Sequence, residues 1–165
     1  MIRMTRTTLL AAAAALLAFP AVAQDAVRIV DPYARSASPT AMTGAAFMVI
    51  ENLAAEDDRL IEARSDVAAR VELHTHLIDA AGVARMVEVE DGLVIPAGGS
   101  HALERGGDHV MLMGLAAPLV EGESFALTLV FENAGEVEVE IPVDLSRTPG
   151  QGAGMGQGRM HGSGG

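Results

Sequence analysis

Between residues 26 and 143 the chain is cut into short runs of apolar and polar residues, many of them alternating, and turn-forming residues (glycine, proline, or Asn, Asp and Ser) end each run after a few positions. No stretch in that range sustains a helical period, so the local pattern allows extended strands and turns and little else. Strands are predicted over 26–33 (closed by Asp31-Pro32), 45–51, 59–63, 70–78, 84–90, 93–96, 109–115, 124–132 and 136–143. Many short strands at turn-punctuated intervals specify an all-β fold, an antiparallel β-sandwich or barrel.

Both ends of the sequence depart from this pattern. Arg3 and Arg6, the apolar run Leu9–Phe19 and the small residues Ala21-Val22-Ala23 form a secretory signal peptide over 1–23, with cleavage expected before Gln24. The apolar run is shorter than a membrane span, and no second candidate follows it. From Ser146 the composition collapses largely to Gly, Gln, Ser, Met, Arg and His. Such a segment has too few apolar groups to offset its ordering entropy, so 146–165 is expected to be a disordered, Gly/Met-rich tail behind a folded unit over 24–145.

Charge and cysteine content narrow the function. The formal charge is -11, and it becomes -13 when Arg3 and Arg6 leave with the leader, since no acid precedes Asp25. Nothing in so acidic a chain attracts nucleic acid or an anionic membrane surface. With no cysteine there are no disulfides, no thiol catalysis and no thiolate metal site. No serine-based catalytic motif or carboxylate pair stands out either, so an enzyme is not expected. What remains for soft-metal chemistry in an oxidising compartment is histidine and methionine, and seven of the nine methionines lie beyond the leader.

Strand phase singles out some of these. In 71–77 Val71, Leu73 and Leu77 share one face while His74 and His76 share the other. In 85–90 Met86 falls opposite Val87 and Val89; in 109–115 His109, Met111 and Met113 fall opposite Val110 and Leu112. A core-filling methionine keeps the phase of the aliphatics in its own strand, and these do not. Taken alone, the pattern fits either a solvated face or a neutral imidazole–thioether set suited to cuprous copper.

The motifs Glu-Leu-His (72–74), Gly-Val-x-x-Met (82–86), Gly-Gly-x-His-x-Met-Leu-Met-Gly-Leu (106–115), Leu-Thr-Leu-x-Phe (127–131) and Gly-Glu-Val-Glu-Val-Glu-Ile-Pro-Val (135–143) resemble those of the PCu(A)C copper chaperones. The resemblance covers about 26–143. It implies a cupredoxin-like antiparallel β-sandwich in the bacterial periplasm that carries Cu(I) toward the copper centres of cytochrome c oxidase. Carried over by position, the family's ligands fall on His74, Met86, His109 and Met111. The intervals are each one residue longer than the family's, and Ala84 stands where many relatives have a further methionine. A share of the coordination for His76 or Met113 therefore stays open. The implied partner is a copper-accepting protein, such as an oxidase subunit or another copper chaperone, met by a monomer with no membrane span. The rival reading is a periplasmic copper buffer with no dedicated client. Met155, Met160 and His161 in the tail could add a second copper site, and His101 is read as a surface residue.

Mass spectrometry of the exported protein is expected to show an N-terminus near Gln24. An intact Met1 or Ile2 start would contradict the assignment of the leader.

Overall fold

The computed structural model describes residues 26–148. Its regular structure is ten strands: β1 (Val27–Ser36), β2 (Thr43–Asn52), β3 (Asp58–Arg64), β4 (Ala68–Ile78), β5 (Ala84–Glu88), β6 (Leu93–Ile95), β7 (Ser100–Leu103), β8 (His109–Leu115), β9 (Ser124–Phe131) and β10 (Gly135–Pro142). They form two antiparallel sheets, one in the order β1-β2-β8-β4-β5 with β7 also beside β2, the other in the order β10-β9-β3-β6. The fold is the all-β sandwich expected. The expected leader (1–23) and nearly all of the expected tail lie outside the described residues, as do Met155, Met160 and His161.

Alternation fixes the sandwich, because each strand turns one face to the other sheet. Ala46, Met48 and Ile50 of β2, Leu73 of β4, and Val110 and Leu112 of β8 meet Leu60 of β3, Leu127, Leu129 and Phe131 of β9, and Ile141 of β10 in one core. Met48 obeys the phase rule: it lies in step with Ala46 and Ile50 and is 2% exposed. Two buried polar side chains hold the loops at one end. The Asn52 amide donates to the Glu56 and Ile95 carbonyls and accepts from the Ala54 N–H. The Asp58 carboxylate accepts from the N–H groups of Arg59, Asn133 and Ala134, tying the start of β3 to the β9–β10 turn. Both side chains are satisfied, as burial requires.

Two expectations need correction. Asp31-Pro32 does not end the first strand: the chain bulges there, with Asp31 at φ 52, and pairing with β2 resumes at Tyr33↔Phe47. A bulge absorbs the residue that cannot donate to the ladder and lets the strand continue. The short strand β7 was not foreseen. Its four residues follow a glycine turn, and it exists because β2 needs a partner beyond the point where β8 leaves it.

The Asp91-Gly92 turn is real, and it depends on its glycine. Gly92 has φ +73, and a Cβ there would stand 2.5 Å from the Leu60 carbonyl oxygen. Gly92→Ala should therefore destabilise the fold by about 1–3 kcal/mol or more, read as a lowered denaturant midpoint with an unchanged slope. A midpoint equal to wild type would contradict the close packing of this turn.

Candidate metal centre

The outer face of the larger sheet, turned away from the core, gathers the out-of-phase residues. Register does this. On the β4–β8 ladder His74 opposes His109 and Glu72 opposes Met111. On the β4–β5 ladder His76 opposes Met86. On the β2–β8 ladder Ala45 opposes Met111, which places Phe47 beside His109. Directly opposed residues share a face, so side chains from β2, β8, β4 and β5 line one surface in sequence.

That surface is not an open, solvated one. His109 is 3% exposed. Phe47 packs against it with ring centroids 6.1 Å apart, and Tyr33 of β1 packs against Phe47 at 5.1 Å. The solvated-face alternative thus fails for His109: Phe47 of β2, backed by Tyr33 of β1, packs against it, while Met86 on the edge strand β5 stays 52% exposed. Between them lies a cleft of about 590 Å³ lined by His76, Met86, His109 and Met111, with Arg35 and Arg105 on its wall.

Hydrogen bonds fix which ring nitrogens carry lone pairs. His109 Nδ1 lies 3.0 Å from the Gly107 carbonyl oxygen, which only accepts, so Nδ1 carries the proton and Nε2 the lone pair. His74 Nε2 lies 2.9 Å from a Glu72 carboxylate oxygen and donates to it. Its Nδ1 is then the lone-pair atom, and it is buried with no hydrogen-bond partner. An orphaned, buried imidazole nitrogen whose other nitrogen is held by a carboxylate is the arrangement a metal-ligating histidine adopts. His76 completes a ring cluster: its centroid is 5.4 Å from that of His109, and that of His74 is 6.0 Å away.

The structure separates the remaining sequence candidates. It brings Met86, His109 and Met111 together in the cleft, with His76 on its wall and His74 behind it. Met113 lies on the same face but away from the cleft, where its sulfur accepts from the Arg70 guanidinium at 3.4 Å. His101 is not a plain surface residue. It is half-buried and paired with Asp108 at 2.8 Å, one residue from His109. Phe47, Tyr33, Arg35 and Arg105 escaped notice because nothing in their local sequence points to the cleft. Among the described residues no group of three or more His, Cys, Asp or Glu is set to hold a metal. Any ion bound here therefore needs the thioethers, and a thioether–imidazole set fits a soft ion rather than calcium, magnesium or manganese.

Burial holds the His109 imidazole below its ordinary range; the Gly107 carbonyl opposes this, His76 and His74 add to the lowering, and Asp108 opposes it. The ring therefore stays neutral, with its lone pair available, at pH values where a free histidine begins to protonate.

A family model, "Putative lipoprotein LpqE-like", matches residues 27–143. "Putative lipoprotein Lxx21020" of Leifsonia xyli subsp. xyli (strain CTCB07) is 34% identical over 124 residues, which is 75% of this chain and 73% of that protein. Among solved structures, a copper-bound PCuAC domain from PmoF2 matches with a TM-score of 0.59 at 28% identity, over 73% of this chain and 93% of its own. The Cu(I) form of DR1885 from Deinococcus radiodurans, determined in solution, matches with a TM-score of 0.55 at 31% identity, over 79% and 83%.

The His109 shift predicts a pH dependence. Because the unfolded ring takes a proton more readily than the folded one, His109 contributes stability above its unfolded value of about 6.5 that is lost as pH falls toward the lowered folded value. Wild type should lose stability relative to His109→Gln between about pH 7 and pH 5, measured as the difference in denaturant midpoints. A difference that moves the other way would contradict the buried, neutral ring.

Proposed function

This chain belongs to the LpqE-like family, and on that premise we propose that it is an exported Cu(I) carrier, a copper chaperone rather than an enzyme. The observation that carries the reading is the buried His74 Nδ1 without a partner, next to His109 and a cleft lined by two imidazoles, His76 and His109, and two thioethers, Met86 and Met111. The copper-bound forms of two similar domains support the choice of metal.

In this reading the ligands are His109 Nε2, Met111, Met86 and His74 Nδ1. Glu72 and Gly107 orient the two imidazoles, and the aromatic wall keeps water from one side of the ion. His76 covers the ion from the cleft. A second arrangement exchanges His76 for His74, and it is favoured by the place of His76 on the cleft wall opposite Met86. The sequence motifs and the held Glu72–His74 pair favour the first.

Transfer is a ligand exchange with no change of oxidation state. Thioethers and neutral imidazoles bring no charge to Cu(I), so an acceptor with thiolates takes the ion and leaves the histidines and methionines free. Met86 is the first donor to be replaced, because it is the exposed one. The folded unit over 24–145, the signal peptide and a periplasmic location with delivery toward cytochrome c oxidase complete the proposal. The motif resemblance supports the client, and a copper buffer is the alternative. The family and one relative are named lipoproteins, and the 165-residue sequence contains no cysteine. Among the described residues no helix is long and apolar enough to cross a membrane.

Anaerobic competition against a Cu(I) chelator tests the ligand set. Met86→Ala, Met111→Ala and His74→Ala should each lower Cu(I) affinity by more than the roughly 10- to 100-fold typical of losing an outer partner, and His76→Ala should stay within that range. Met86→Ala should change stability by no more than about 0.5 kcal/mol, unlike a core methionine at about 2–5 kcal/mol. If His76→Ala abolishes binding and His74→Ala spares it, the second arrangement holds. If both methionine variants bind like wild type, the carrier reading falls. Transfer to an apo-oxidase subunit then separates chaperone from buffer.

A further inference from the structure

Of the eight arginines in the described residues, six are paired with carboxylates: Arg28 with Glu51, Arg59 with Glu132, Arg64 with Glu62 and Glu136, Arg70 with Glu72, Arg85 with Asp79, and Arg147 with Asp31. The two left without a carboxylate are Arg35 and Arg105, and both line the metal cleft. In a chain with 22 acidic and 11 basic residues an unpaired arginine has carboxylates within easy supply. Among the described residues no carboxylate lines this cleft. Arg35 is also held in place, because its guanidinium donates to the Arg147 carbonyl oxygen at 2.7 Å, a bond that positions the cation without neutralising it. Arg105 sits exposed on the turn between β7 and β8, just before the glycine pair that leads to His109.

Neither arginine is a metal donor, and a positive charge near a bound cation works against its binding. Their place is explained by something that arrives from outside. We propose that the mouth of the cleft is a docking face, and that Arg35 and Arg105 select an acceptor protein whose copper site is bordered by carboxylates. The opposite wall suits the same role. The β4–β5 hairpin leaves Ile78 exposed on the same face as His76 and Met86, an apolar lip beside a cationic one. This inference rests on the carrier reading and gives it a direction. Since the ligands are neutral, bound Cu(I) adds its full charge to the cleft. The loaded form therefore attracts an acidic rim more strongly than the empty form, and delivery itself weakens the complex.

The probes are two synthetic peptides with the same two-cysteine Cu(I) site, flanked by aspartates in one and asparagines in the other. Cu(I) affinity is first measured by chelator competition for wild type, Arg105→Gln and the Arg35→Gln/Arg105→Gln pair, and denaturant midpoints are taken alongside. Removing positive charge should not weaken Cu(I) binding. If wild type itself binds no Cu(I), the carrier reading fails at this step and the docking proposal with it. Anaerobic transfer rates follow. The ratio of Asp-flanked to Asn-flanked rates should fall about tenfold from wild type to the double variant, and part of the way in Arg105→Gln, which covers the case of a double variant that folds poorly. In about 1 M salt, where the Debye length is about 3 Å, the difference between the proteins should vanish. An unchanged ratio in variants that bind Cu(I) normally overturns the docking proposal and leaves the carrier reading intact. Arginine-dependent, salt-sensitive dimerisation of wild type with that same unchanged ratio also overturns it, assigning the face to a second copy of this chain.

Discussion

The register of β4 against β8 governs the rest of this molecule. Leu73 opposes Val110 on the inner face of the larger sheet, and His74 opposes His109 on the outer face. Since side chains alternate with a period of two, a slip of β4 by one residue would drive His74 into the core and expose Leu73. The core therefore enforces the site: burial of Leu73, Val110 and Leu112 fixes which way His74, His109 and Met111 point. Neighbouring ladders extend the row, to Met86 through β5 and to Phe47 through β2.

On that frame, hydrogen bonds and burial prepare the imidazoles proposed as donors. Gly107 and Glu72 each hold one nitrogen of an imidazole, leaving the other as a lone pair, and burial keeps the His109 ring neutral. Lone pairs already aimed by the protein lose little freedom when an ion arrives. The row also runs from wet to dry, from the exposed Met86 on the edge strand to the enclosed His109. An ion held across such a gradient is sheltered on one side and open to exchange on the other.

The strand pattern and the face of each site residue were legible in the sequence, because alternation is local. Met48 reads as core and Met111 as not core from their own neighbours alone. What escaped was non-local. His109 is covered in part by Phe47, over sixty residues earlier in the chain, which Tyr33 backs. His74 and His76 share one face of one strand, so phase cannot rank them; only the pairing of one with His109 and the other with Met86 does. β7 is too short to show a period, and the Asp31-Pro32 bulge looks like a strand end in any local reading. Arg35 and Arg105 meet at the cleft from the end of β1 and from the β7–β8 turn, and no spacing rule links them.

The most direct test of the account is X-ray absorption at the copper edge of the Cu(I)-loaded protein. A first shell of two sulfurs with imidazole nitrogens is predicted, losing one sulfur in Met86→Ala, one in Met111→Ala, and an imidazole in His74→Ala. A shell of nitrogen and oxygen alone, or a sulfur shell that survives both methionine substitutions, would contradict it.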